Sequence, residues 1–213
     1  MMRSAPLIVC AVLALGGCAH RTMTRATVAV GEPIVSDEPS DDWRHVARSS
    51  DIARLTTLPD RFAAAAPRSG AGQAALKTNT TARWPSPTPG VYRCRVHRLP
   101  AVGSARTFPP FFCYVQSDGA LLTFAKGTGS DRPAGRLWAD GNDRRVFLGG
   151  AARVAGADAP GYGADPATDR IGLVDRIGDF RWRLIIDAPR PGTLFDVVEF
   201  WPDSGSLATD APR

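Results

Sequence analysis

The sequence predicts a mainly β protein with short N-terminal helices (α+β), its strands forming an eight-stranded antiparallel meander closed into a barrel. Three observations predict it. From residue 90 onward apolar and polar residues alternate with a period of two. Short turn signals (Asp118-Gly119, Gly141-Asn142, Gly178-Asp179) separate the alternating runs. No ten-residue apolar helix interrupts them. A meander of eight strands closes without leaving exposed edges; an open sandwich is the alternative.

Residues 1–17 come first. Met1, Met2 and Arg3 make a short positive start, and Ala5 to Leu15 form an apolar core. That core is about half of the roughly 20 residues a helix needs to cross a bilayer. Its position, charge order and length match a secretory signal. "LGGC", ending at Cys18, resembles the lipobox of bacterial lipoproteins, in which cleavage leaves an acylated cysteine as the new N-terminus. Each buried methylene contributes ~0.8 kcal/mol, so several acyl chains anchor the protein firmly to a membrane. Ala19 after the cysteine resembles the signal for onward export to the outer membrane. The expected localisation is therefore the bacterial cell envelope, on the outer membrane facing the periplasm.

Residues 18–40 carry small and polar residues without a sustained period and read as a disordered tether. Residues 41–66 change character. Ser40 with Asp41 and Asp42 is one helix start, and Ser49 or Ser50 with Asp51 a second. Trp43, Val46, Ile52, Leu55, Leu58 and Phe62 then form broken apolar stripes on two or three short helices, interrupted at Pro59 and packed on the barrel, with Trp43 as an anchor. Residues 67–89, rich in Pro, Gly, Ser and Thr, form a long loop pinned by Leu76 and Trp84. Residues 90–202 are the barrel, and 203–213 a disordered tail.

Within the barrel, "VYRCRVHRL" sets Tyr92, Cys94 and Val96 against Arg93, Arg95 and His97, which places His97 on a solvated face. "FRWRLIID" places Trp182, Leu184 and Ile186 together, with Arg181 and Arg183 opposite. Cys94 and Cys113 sit centrally in the first two strands. Cys10 is removed with the signal and Cys18 is acylated, so these two remain as an even pair in an oxidising compartment and are expected to form a disulfide. Closing that loop stabilises by roughly 3 kcal/mol in the chain-entropy model.

Composition narrows the function classes. The 213 residues are 44% hydrophobic and 22% charged, with a formal charge of +5. Lys77 and Lys126 are the only lysines, and the arginines alternate with acids instead of clustering. No basic block is present, so nucleic acid is not an expected partner. His20, His45 and His97 have no metal-ligand spacing, and neither a zinc pattern nor a C-x-x-C occurs. "KGTGSDRPAG" (126–135) is the one glycine-rich polar loop suited to cradling an anion, but Lys126 precedes the glycines, unlike a phosphate loop. "GYGADPATDR" (161–170) spaces Asp165 and Asp169 without a full calcium-loop pattern. Both read as surface loops. No cofactor, metal or catalytic residue is expected.

The segments "DDWRHVA", "PGVYRCRV", "PPFFCYV", "LLTFAKGTGSDRPAGRL", "RRVFLG", "GLVDRIGDFRWRLII" and "FDVVEF" together resemble the domain-of-unknown-function 4893 family of bacterial lipoproteins, over roughly residues 41 to 202. That family implies no activity and no functional residue. More remotely, the cysteine pair early in an eight-stranded barrel is similar in plan to lipocalin-like proteins and small protease inhibitors, although "PGVYRC" stands where lipocalins carry G-x-W. The expected role is a non-catalytic binding module for a small apolar ligand in the barrel or an envelope protein at its rim. The alternatives are an envelope hydrolase, in which His97 meets a carboxylate and a nucleophile in a cleft, or an inhibitor of an envelope protease.

Overall fold

The computed structural model describes residues 42–67, 74–77, 84–129, 131–154 and 156–203. The predicted signal, Cys18, the whole of the predicted tether (18–40) and the last ten residues of the tail lie outside them. Asp42 caps a single turn, α1 (Trp43–Val46), its carboxylate accepting from the Arg44 backbone N–H at 3.0 Å. Helix α2 (Ser49–Ala65) follows. Asp51, Leu55, Leu58, Phe62 and Ala65 are its buried positions, the spacing of one helical face.

Pro59 does not interrupt this helix, against the sequence expectation. Leu55, Leu58 and Phe62 pack into one continuous apolar layer against the barrel, and that burial on both sides of Pro59 outweighs its ~3 kcal/mol propensity cost.

The strands are β1 (Gly90–Pro100), β2 (Arg106–Thr107), β3 (Phe111–Asp118), β4 (Leu121–Lys126), β5 (Arg132–Asp140), β6 (Arg144–Ala152), β7 (Asp169–Gly178), β8 (Arg181–Asp187) and β9 (Thr193–Pro202). All but β2 are the strands that alternation predicts. β1 pairs antiparallel with β3, each strand from β3 to β8 pairs antiparallel with the next, and β9 returns to pair with β1 from Tyr92↔Pro202 to Pro100↔Thr193, closing an eight-stranded barrel. β2 is a two-residue ribbon beside His97 and Arg98 of β1. Where β5 meets β6 the backbones nearly touch: a Cβ on Gly135 would lie 2.5 Å from the Gly149 Cα. Only glycine admits that approach at a barrel corner.

Two apolar layers result. Inside, Tyr92, Cys94, Val115, Phe124, Phe147, Val174, Trp182, Leu184 and Phe200 fill the barrel. Outside, α2 lies over β6 to β9, where Leu148, Leu173, Ile185, Phe195 and Val197 meet Leu55, Leu58 and Phe62.

Several sequence expectations are corrected. Arg183 faces outward but is buried, because the turn at Ala74–Leu76 and Phe62 cover it. Trp84 is 78% exposed and pins nothing, whereas Leu76 is buried. The β7–β8 hairpin turns at Asp179-Phe180, with Phe180 carrying the left-handed φ of 51°. A register shift after Arg176 moves the turn one residue past Gly178-Asp179.

Cys94 and Cys113 form a disulfide with Cα atoms 5.9 Å apart. They are diagonal neighbours, since Cys113 sits opposite Tyr92 and Cys94 opposite Phe111; sheet twist shortens one diagonal. Reducing the bond, or replacing both cysteines with alanine, is expected to lower stability by roughly 3 kcal/mol in the chain-entropy model. Urea unfolding with and without reductant measures it, and coincident curves would remove the bond from the stability of the barrel.

Candidate functional site: the charged mouth of the barrel

Among the described residues, side chains fill the barrel interior. The Phe200 ring lies 5.5 Å from Tyr92, 5.4 Å from Phe124 and 6.0 Å from Trp182, and Phe124 meets Phe147 edge-on at 6.3 Å. These five rings are at most 4% exposed. Such aromatic packing leaves the barrel centre solid.

At one end the inward positions turn from apolar to charged. Alternation along β1 carries Tyr92, Cys94 and Val96 inward and then Arg98; along β9 it carries Phe200, Val198 and then Asp196. Arg98 donates to both carboxylate oxygens of Asp196, at 2.7 and 2.8 Å. Lys126, at the end of β4, donates from Nζ to the Asp131 carbonyl at 2.8 Å. Arg190 bonds to Asp131 and lies 3.3 Å from Asp196. Arg170 of β7 is 3.8 Å from Asp131. Arg98, Lys126, Asp131, Arg170 and Asp196 line a cavity of about 20 Å³, room for one small group. Burial lowers the Lys126 ammonium from its usual range; Asp196 opposes that shift, and Arg190, Arg98 and Arg132 add to it.

A larger groove of about 380 Å³ adjoins this cavity, sharing Arg170 and Pro189 with it. Its wall is the N-terminal half of α2. Arg54 and Arg61 both bond to the buried Asp187, at 2.9 and 2.7 Å. Arg48 pairs with Asp169 at 2.6 Å. The Tyr162 hydroxyl donates to Asp51 at 2.6 Å, and burial raises that phenol above its ordinary value.

The two polar loops singled out in the sequence both belong to this mouth. Residues 126–135 supply Lys126 and Asp131, and 161–170 supply Arg170. Asp165 and Asp169 do not form a metal site: Asp165 accepts from the Ala167 N–H and Asp169 from the Gly163 N–H, both at 3.0 Å, shaping their own loop. Among the described residues no group of three or more His, Cys, Asp or Glu is placed to hold a metal ion.

His97 is fully buried, not solvated as expected. It does face outward with Arg93 and Arg95, but β2 and Glu199 cover it. Nδ1 lies 3.1 Å from Thr107 Oγ1, and Nε2 lies 3.4 Å from Glu199, which also binds Arg181 at 2.9 Å. A hydroxyl, an imidazole and a carboxylate thus stand in line, yet neither the cavity nor the groove described above is lined by any of them. A nucleophile needs a place for the reacting atom beside it.

Sequence reasoning passed over Arg98, Arg170, Arg190 and Asp196. The available signal was parity: a charged residue at an inward position near a strand end marks a barrel mouth.

A closed eight-stranded barrel, filled inside, strapped by one helix and charged at one mouth, defines the class of protein. The chain belongs to the family described as Domain of unknown function (DUF4893), whose model matches residues 43–200. No curated protein and no solved structure matches it.

Proposed function

We infer that this is a lipid-anchored protein of the bacterial cell envelope, exported by residues 1–17, acylated at Cys18 and held on the outer membrane facing the periplasm. Its role is non-catalytic binding of a protein partner at the rim of the charged mouth. The observation that carries the choice of partner over a small apolar ligand is the aromatic filling of the barrel.

Two further features support it. The described chain enters at Asp42 near Asp140, and leaves at Asp203, whose N–H bonds to Val91; both points lie at the end opposite the mouth. A tether from Cys18 therefore leaves the mouth clear of the entry point. At the same end of the barrel, in the loops that follow β1 and β6, Val102 and Val154 stand 90% and 68% exposed, and apolar residues together with arginine are common at protein interfaces.

A photo-crosslinking residue at Val102 or Val154 should trap one discrete protein in living cells, and none from Phe180 at the opposite end. The purified protein should leave a fluorescent fatty acid unbound. Stoichiometric fatty-acid binding, or adducts from Phe180 alone, would overturn the reading. Cys18→Ser should abolish fatty-acid labelling and release the protein from membranes; unchanged labelling would remove the anchor.

A further inference from the structure

We propose that the inner cavity of the mouth is a binding site for a phosphate-type oxyanion, gripped by Lys126 and Arg170 with Arg98 behind them. The charge balance is the first argument. Arg98, Lys126 and Arg170 line the cavity with two carboxylates, Asp131 and Asp196, and Arg132 and Arg190 add positive charge close by. Those two are already engaged: Asp196 holds Arg98 in a two-point contact and Arg190 as well, and Asp131 holds Arg190.

The donors left over define the ligand. Lys126 hydrogen-bonds to one backbone carbonyl, and Arg170 to the carbonyls of Thr168 and Asp169 at 3.0 and 2.8 Å. Lys126 has no side-chain carboxylate within hydrogen-bond distance among the described residues, and Arg170 has only Asp131, 3.8 Å away and already bonded to Arg190. Beside the cavity, the buried Nε–H groups of Arg132 and Arg190 have no acceptor among the described residues. A dianion meets two such cations, and charge-assisted bonds to it are about twice as strong as neutral ones. The cavity admits a single oxygen-sized group, so one oxygen of the anion enters it and the rest extends into the adjoining groove.

Burial disfavours the Lys126 ammonium, which is held below its usual range. Its folded-state value lies under the unfolded 10.5. The ammonium therefore destabilises the fold at neutral pH, and that penalty is lifted as pH rises through the lowered value. Lys126→Met is accordingly expected to be as stable as the parent or more so, which separates loss of binding from loss of fold.

The test uses the full chain, calorimetry and thermal unfolding in inorganic phosphate against sodium chloride of matched ionic strength. Phosphate should raise the Tm and bind saturably. Lys126→Met and Arg170→Met should each weaken binding by about tenfold or more. A short-chain phosphatidic acid below its micelle concentration distinguishes sources: competition with phosphate assigns a lipid head group, and phosphate binding without competition assigns a soluble phosphate. No phosphate-specific shift, or unchanged binding in Lys126→Met, overturns the site, as does acetate acting as well as phosphate. The site needs no protein partner, so its failure leaves the rim contact standing.

Discussion

Trp182→Ala is expected to lower the unfolding free energy by about 3 to 5 kcal/mol, the range for large aromatic truncations in a core. Trp182 is 4% exposed inside the barrel. Its ring stacks on Phe200 at 6.0 Å and meets Tyr92 edge-on at 5.9 Å. Removing it opens a cavity bounded by strands that are locked into a closed ring, so the walls have little freedom to collapse inward. Its indole N–H has no acceptor among the described residues. Trp182→Phe keeps most of the apolar contact and drops that unpaired donor, so it should cost clearly less than the alanine. Urea unfolding of the two variants reads the difference. A midpoint unchanged by Trp182→Ala would mean that the ring is not part of the core.

Alternation told which face a residue takes but not what lies on that face. Along β8 it set Trp182, Leu184 and Ile186 inward correctly, because a two-residue period depends only on the pleat. Arg183 and His97 were equally well placed, outward, yet both are buried. Their covers come from elsewhere: residues 74–77 and Phe62 for Arg183, Thr107 and Glu199 for His97. No local pattern in β8 or β1 announces those neighbours. The continuity of α2 through Pro59 was hidden for the same reason, since propensity is local and the barrel surface that holds the helix is not. The mouth was half legible. Its two loops stood out by composition, whereas Arg98 and Asp196 had to be brought together by closure of β9 on β1, a pairing 98 residues apart.

Arg183→Ala makes the difference measurable. An exposed arginine on a strand changes stability by less than about 0.5 kcal/mol when truncated, and the outward position alone would predict that value. The structure predicts a loss of about 3 to 5 kcal/mol, the cost of breaking a buried ion pair. Arg183 donates to Asp175 Oδ2 from Nε and Nη2, at 3.2 and 3.0 Å. It also donates to the Ala75 and Lys77 carbonyls and lies 4.7 Å over the Phe62 ring. Burial lowers the guanidinium from its ordinary value, and Asp175 opposes that shift. Alanine leaves Asp175 without its counter-charge and frees the 74–77 turn from β8, so α2 loses part of its seat. If uncompensated charge dominates, Arg183→Met with Asp175→Leu should recover much of the loss, since an apolar pair of similar volume often replaces a buried ion pair without penalty. If the carbonyl contacts dominate, the double variant should stay near Arg183→Ala. An Arg183→Ala midpoint equal to the parent's would show that residues 74–77 do not cover this face of the barrel in solution.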